Sequence, residues 1–411
     1  MRSWPEVYLP PTLSEISHPS LQLFHSYLNK TVEIKQNAPT LYVCGITPYD
    51  ATHLGHAATY LTFDLITRYL RASGKQVTTT QNITDIDDPL LERAKRDSVD
   101  WQSLAKSQID LFRDDMTELH VVPPTNYLGV IESMPMIIKH IERLLQTGNC
   151  YWLEKDLYLD LSKIPDALEN LPLPINEAIK TFEERGGDPN REGKRHPLDT
   201  LLWLGKKDDE PSWEAPFGVG RPGWHIECVA IALSTLDRSG DSTCITLQGG
   251  GSDLRFPHHY MTGVQVRALT GLEFASAYVH TGMIGWEGAK MSKSLGNLLF
   301  VSKLLASGWS ANELRLALIN RNYRADLDWR EALLEEARAT LERLSSNLAR
   351  EEVAPTKPAI QAIALAISND LDIPGVIKVL MNWCSETEAG AAGGSAGELA
   401  RALDLYLGIT L

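Results

Sequence analysis

The sequence has no uninterrupted apolar run of about 18 residues, so a membrane-spanning helix is not expected. Its start, MRSWPEVYLPPTLSEI, lacks the apolar core of a secretory signal, and a cytoplasmic protein is expected. Cysteine is scarce: five in 411 residues, at positions 44, 150, 228, 244 and 384, with no CxxC pair. So few, odd in number and scattered, they argue against a disulfide framework and leave buried free thiols as the plain reading. Positive charge is also short. Lys and Arg total 39 against 53 Asp and Glu, a net charge of −14, which argues against a broad nucleic-acid surface but leaves room for a local basic groove. No fixed-period repeat is present.

What remains is an ordinary globular composition, 43% hydrophobic and 22% charged, with length enough for two or three domains. Residues 1–38 read as an irregular lead-in with a hairpin around HSYLNKTVEIK. Residues 41–44 read as a strand. Residues 53–74 carry helical spacing at Leu54, Ala58, Leu61, Leu65 and Tyr69, with Gly74 as the stop. Residues 75–83 are rich in β-branched side chains and read as the next strand. Strand, helix, strand is a βαβ unit, which predicts a parallel sheet. TDIDDPLLERAKRD opens a helix with Pro89 in its first turn, and helical segments are expected on to about residue 148. Residues 151–223 are rich in glycine, proline and charge and read as an inserted connecting module. ECVAIALSTL reads as helix, TCITLQGGGSD as a strand entering a glycine-rich turn, FPHHYMTGVQVRALTG as helix and FASAYVHTGM as strand. From residue 298 the pattern is helical, with a soft linker expected at 350–358 and a flexible loop at 389–397.

Three stretches carry chemistry. In LYVCGITPYDATHLGH (41–56), Cys44 ends a strand; a redox bridge, a metal ligand and a core thiol are all open to it. His53 and His56 stand at the start of the following helix, where backbone N–H groups favour anions and two imidazoles can add donors to a phosphate. KMSKS (290–294) sets Lys290 and Lys293 in a short polar loop that can close on a leaving pyrophosphate. Cys44, Cys228 in GWHIEC, and His258 and His259 in FPHH are thiolate and imidazole ligands of the kind zinc prefers, although their spacing cannot prove that they converge. Three protein ligands would leave a fourth position open, as in a working zinc site.

YVCGITPYDATHLGHAATY, NITDIDDPLLERA, GWHIEC, GGGSDLRFPHH and KMSKS, in this order, resemble the motifs of the class I aminoacyl-tRNA synthetases, and within them the cysteinyl branch. The resemblance covers about residues 38–300. CGITPYDATHLGHAAT and EERGGDP (183–189) are similar to the paralogous ligase family of mycothiol biosynthesis, which joins cysteine to glucosaminyl-inositol; the synthetases usually read CGPTVYD. The synthetases also carry a glutamate after FPHH as a fourth zinc ligand, where this chain has Thr262. Tyr260 departs from the glutamate usual in both families. The chain after KMSKS is short and mildly acidic for a tRNA-binding tail.

This resemblance implies an α/β fold: a Rossmann-like parallel-sheet catalytic domain in two halves (1–148 and 224–297), a connective insertion (149–223) and a C-terminal α-helical domain (298–411). It implies one Zn2+ held by Cys44, Cys228 and His258, with His259 an outer neighbour. It implies ATP, with Mg2+, as substrate. His53, His56, Lys290 and Lys293 would stabilise phosphate charge. Cys44, Gly45, Ile46, Thr47, Thr59, Asn82, Ile83 and Thr84 would contact the adenylate. Trp224 would wall the cysteine site, Gly251, Ser252 and Asp253 would line the adenosine side, and Ile284 would meet the purine. The implied partners are L-cysteine, ATP and glucosaminyl-inositol, acting on a monomer without tRNA or membrane. A cysteinyl-tRNA synthetase and a non-catalytic zinc-binding paralogue are the alternatives.

Overall fold

The computed structural model describes residues 1–13, 15–50, 52–236, 242–286, 288–290 and 298–411. Five strands form a parallel sheet: β1 (Thr40–Val43), β2 (Thr78–Ile83), β3 (Asn126–Gly129), β4 (Thr243–Gly251) and β5 (Glu273–Thr281), in the order β5-β4-β1-β2-β3. β1 is buried along its whole length, as a strand covered on both faces must be. The chain builds outward from β1 through β2 to β3, then returns to place β4 on the other side of β1. The order therefore reverses between β1 and β4, and a crevice opens there at the carboxyl ends of the strands.

Side-chain alternation along β1 sorts the two faces. Leu41 and Val43 join a core with helix α1 (Leu54–Ala72) and the C-terminal helices. Tyr42 and Cys44 face the opposite core, built from α2 (Met134–Gln146), α3 (Trp224–Leu236) and α4 (Tyr260–Thr270). Cys44 thus points to the side that carries Cys228 and His258.

α1 is anchored by a buried polar node. Asp64 accepts from Arg68 Nε at 2.7 Å, from the backbone of Val122 at 2.8 Å, and from Arg315 on the helix Ala311–Ile319. Burial works against the Asp64 charge, but the two arginines outweigh it and hold its carboxyl below the usual range. Arg315 is 1% exposed and also donates to the carbonyls of Leu119 (2.7 Å) and Leu407; Arg68 reaches those of Asp404 and His120, both at 2.6 Å. The helix that carries HLGH is thereby tied to the end of the chain.

The structure departs from the sequence-based expectations in several places, among them a short strand, Leu327–Trp329, within the stretch expected to be helical from residue 298. β3 interrupts the helical stretch expected up to residue 148; at four residues, after Pro123 and Pro124, it is too short for a period to register. The glycines of LQGGGSD lie in β4, not in a turn. A Cβ on Gly249 would lie 2.2 Å from the Phe63 ring, and one on Gly250 2.9 Å from the His259 ring, so these glycines serve close approach. Residues 350–358 are not a soft linker: Val353 and Ala354 are buried, Trp383 donates to the Ala354 carbonyl at 3.0 Å, and a helix starts at Thr356. The small-residue stretch at 389–397 is mostly exposed and is a loop up to the helix that starts at Ala396, pinned at one point: Gly394 N–H donates to the Val353 carbonyl at 3.0 Å and a Cβ there would lie 1.9 Å from the Ala354 oxygen. Residues 150–222 carry a separate four-stranded antiparallel sheet (Cys150–Leu153, Asp156–Leu159, Thr200–Gly205, Gly220–Pro222) and the helix Ile175–Glu184.

Candidate active site

The crevice between β1 and β4 gathers most of the residues singled out in the sequence. Cys44, Cys228 and His258 are buried, and their ligand atoms all lie within 4.8 Å of one another. Cys228 sits in the first turns of α3, and His258 in the turn before α4. His258 presents Nε2 to the Cys228 sulfur at 3.3 Å, while its Nδ1 lies 3.0 Å from Nδ1 of His225. Trp224 stacks on the His258 ring at 4.2 Å. Cys44 Sγ is 3.1 Å from His259 Nε2 and accepts from Gln248 Nε2 at 3.3 Å. Burial pushes the Cys44 thiol up. The adjoining Cys228 is held far below the ordinary thiol range by the Cys44 thiol and by His258, although burial opposes this. The pair can therefore keep one thiolate in a dry site.

This donor set fits a metal. A tetrahedral zinc, with bonds of about 2.0–2.3 Å, sets ligand atoms roughly 3.3–3.8 Å apart, which suits a set whose ligand atoms all lie within 4.8 Å, with His258 Nε2 and Cys228 Sγ at 3.3 Å. Among the described residues no fourth His, Cys, Asp or Glu joins the three. Thr262 turns away and donates to the His259 carbonyl at 2.8 Å; Tyr260 reaches the Ala167 carbonyl at 2.8 Å, on the connecting module.

The side of the crevice at the HLGH helix start is equally ordered. His53 caps α1, its Nδ1 accepting from the N–H groups of Gly55 (3.1 Å) and His56 (3.4 Å). A ring that accepts at Nδ1 carries its proton on Nε2 when neutral, so Nε2–H is the free donor. Burial lowers the His53 pKa to about 4, with Asp253 opposing, and holds His56 well below its usual value; the two rings stack at 3.7 Å. Both are neutral donors at pH 7. Thr59 Oγ1 lies 2.8 Å from Thr281 Oγ1, joining α1 to the end of β5. Asn82 accepts from Tyr42 (3.0 Å) and from Gly45 N–H (2.9 Å), and donates to Thr84 (3.2 Å). A Cβ on Gly45 would lie 1.5 Å from the Asn82 carbonyl oxygen, so only glycine lets the strand ends close here. Thr84 N–H donates to the Ile46 carbonyl at 3.0 Å.

Ile83 and Ile284 have buried side chains, and Ile284 lies in a small sheet beside Leu327. Thr47 and Ser252 are half-buried at the crevice. Lys293 lies outside the described residues. Lys290 is described only as backbone, in the strand Ala289–Lys290. The segment leaving the KMSKS loop is held against the HLGH entry: Leu54 N–H donates to the Leu299 carbonyl at 2.9 Å, and Val301 N–H to that of Thr52 at 3.1 Å.

Three neighbours of the cluster were not singled out from sequence: Gln248, His225 and His280. His280 Nε2 lies 2.8 Å from His259 Nδ1. Gln248 could have been noticed as the one amide in an otherwise apolar strand, CITLQGGG. Nothing local marked the other two.

Residues 30–339 match the family described as tRNA synthetases class I (C) catalytic domain. Over its full length the chain is 47% identical to L-cysteine:1D-myo-inositol 2-amino-2-deoxy-alpha-D-glucopyranoside ligase 2 of Corynebacterium jeikeium, with 100% of both chains covered. The chain belongs to this ligase family. The ligase of Thermomonospora curvata is 45% identical, again over 100% of both chains. Among solved structures, methionyl-tRNA synthetase of Mycobacterium tuberculosis, in complex with methionyl-adenylate, is similar in fold: TM-score 0.63 over 90% of this chain and 89% of that one, at 14% identity. The chain is thus an enzyme with a class I synthetase-like catalytic fold. Among the described residues no helix is long and apolar enough to cross a membrane.

Proposed function

We propose that this enzyme joins L-cysteine to the amine of glucosaminyl-inositol at the expense of ATP, giving cysteinyl-glucosaminyl-inositol, AMP and pyrophosphate. The observation that carries the reading is full-length similarity to the amino-sugar ligases, in a chain whose Cys44–Cys228–His258 cluster adjoins the HLGH helix start.

Cys44, Cys228 and His258 would hold one zinc ion. Zinc bound there supplies a soft Lewis acid that selects a substrate thiol over a hydroxyl. Trp224 walls the cysteine side chain. The cysteine carboxylate attacks the α-phosphorus of ATP, which arrives with Mg2+; the bond to the β-phosphate oxygen breaks, and pyrophosphate leaves. His53 Nε2–H, His56, and Lys290 and Lys293 of the loop meet the charge that grows on the phosphate oxygens, each well-placed donor worth about 3 kcal/mol. Gly45, Ile46, Thr47, Thr59 and Asn82 to Thr84 hold the cysteinyl-adenylate, with Gly251, Ser252 and Asp253 on the ribose and Ile284 at the purine. The neutral amine of the amino sugar then attacks the activated carbonyl, loses a proton and displaces AMP.

Residues 1–148 and 224–297 are the halves of the catalytic domain, 149–223 the insertion, and 298–411 a helical domain that does not serve tRNA. Residues 298–411 carry 15 acidic against 11 basic side chains. Several of those arginines are engaged internally, among them Arg315 with Asp64, Arg338 with Glu313 and Arg343 with Glu388. The free thiols at the cluster suit a reducing cytoplasm. The enzyme acts as a monomer.

The deciding assay follows AMP release by zinc-loaded protein with ATP and cysteine, adding glucosaminyl-inositol to one sample and cysteine tRNA to another. Release that depends on the amino sugar is expected. Release only with tRNA would make this a compact cysteinyl-tRNA synthetase, and release with neither an idle paralogue.

A further inference from the structure

The segment EERGGDP has no part in the reactions above, yet it is held at both ends. The helix Ile175–Glu184 stops at Arg185 by a glycine device: Gly186 has φ +84°, Gly187 N–H returns to the Phe182 carbonyl at 2.8 Å, and a Cβ on Gly187 would lie 2.3 Å from the Phe182 ring. Downstream, Asp188 accepts from Lys194 Nζ at 2.9 Å and from the Tyr158 hydroxyl, which fixes the segment to the four-stranded sheet. Between these anchors Arg185 reaches across to the turn after β4. Its Nη1 donates to the Asp253 carbonyl at 2.6 Å and lies 3.8 Å from the Asp253 carboxylate. Asp253 in turn stands close enough to His53 to act on its charge. One guanidinium thus holds both the backbone and the carboxylate of a residue that borders the phosphate side of the crevice.

We propose that Arg185 is a positioning residue for ATP: from its glycine-terminated helix it fixes the Ser252–Asp253 turn, and so links the connecting module to nucleotide binding. The inference rests on the reading that Asp253 lies on the ribose side. Without Arg185 the carboxylate loses its only charged partner among the described residues and the turn loses a charge-assisted hydrogen bond. Among the described residues the Arg185 side chain has its polar contacts with Asp253 and none with Cys44, Cys228, His258 or Trp224, so its loss should fall mainly on ATP.

The test is ATP–pyrophosphate exchange with Arg185→Ala, Asp253→Ala and the double variant, alongside zinc content. Arg185→Ala is expected to raise KM for ATP about tenfold, with KM for cysteine and bound zinc unchanged. Because Arg185 keeps its bond to the carbonyl of residue 253 in Asp253→Ala but loses the carboxylate it orients, the double variant should be worse than Asp253→Ala yet lose less than the sum of the two single changes. A raised KM in Asp253→Ala with a normal one in Arg185→Ala, or additive effects in the double variant, would overturn the proposal and leave the ribose assignment standing. Normal values in both would remove the ribose assignment itself, and the proposal with it. If Arg185→Ala does not fold, Arg185→Gln, which keeps a donor and drops the charge, is read in its place; a several-fold rise is expected and an unchanged KM refutes the idea.

Discussion

His53 does two jobs that a pair of substitutions can separate. Its Nδ1 caps α1 through two backbone N–H groups, while Nε2–H is left for the role proposed for it, a donor to the phosphate. His53→Ala removes both functions. Loss of a side-chain cap costs about 1 kcal/mol of stability, and loss of one oriented donor to a developing oxyanion costs roughly 10²–10³ in rate. His53→Asn restores a good cap and, with its shorter reach, does not restore the donor. The expected result is a melting transition close to wild type for His53→Asn, a lower one for His53→Ala, and an ATP–pyrophosphate exchange rate down by about two to three orders of magnitude in both. A pH series adds a third check. The folded ring binds its proton only near pH 4, whereas the unfolded ring does so near 6.5. Stability from this ring is therefore complete above pH 6.5 and falls as pH drops toward 4, by up to about 3 kcal/mol. In His53→Asn the melting temperature should fall less steeply over that window. Wild-type exchange in His53→Asn would refute the donor role. Equal melting of the Ala and Asn variants would refute the cap.

Cys44→Ser should lose the metal and cysteine activation together; a purified variant that keeps one zinc per chain by elemental analysis would contradict the three-ligand site. Arg315→Ala strips a buried partner from Asp64 and leaves two carbonyls unpaired, so denaturant unfolding should show a loss of about 3–5 kcal/mol, whereas Arg315→Ala combined with Asp64→Ala should lose less than the sum of the two single changes. Additive losses would show that the node is not a unit.

Much was legible in the sequence because it is encoded over short distances. The apolar spacing of residues 54–69, the stop near Gly74 and the β-branched run after it define a strand–helix–strand unit without help from the rest of the chain. The HLGH histidines are readable for the same reason: a helix start is a local event, and its free N–H groups are there whatever packs on it. The stretch at 350–358 does not follow its composition, because Val353 and Ala354 are buried and Gly394 packs on the Ala354 carbonyl, contacts between segments far apart in sequence.

The sequence by itself determined which side chains could hold a metal or meet a phosphate, and that a parallel sheet would carry them. Only the tertiary structure decided that they meet. Cys44, Cys228 and His258 belong to a strand end, a helix and a turn that local pattern cannot bring together. They converge because β4 returns to pair with β1 rather than adding at the sheet's edge, and because alternation along β1 turns Cys44 toward α3 and α4. Register and strand order are set by burying both faces of a sheet at once, and that condition is written across the whole chain rather than in any one segment.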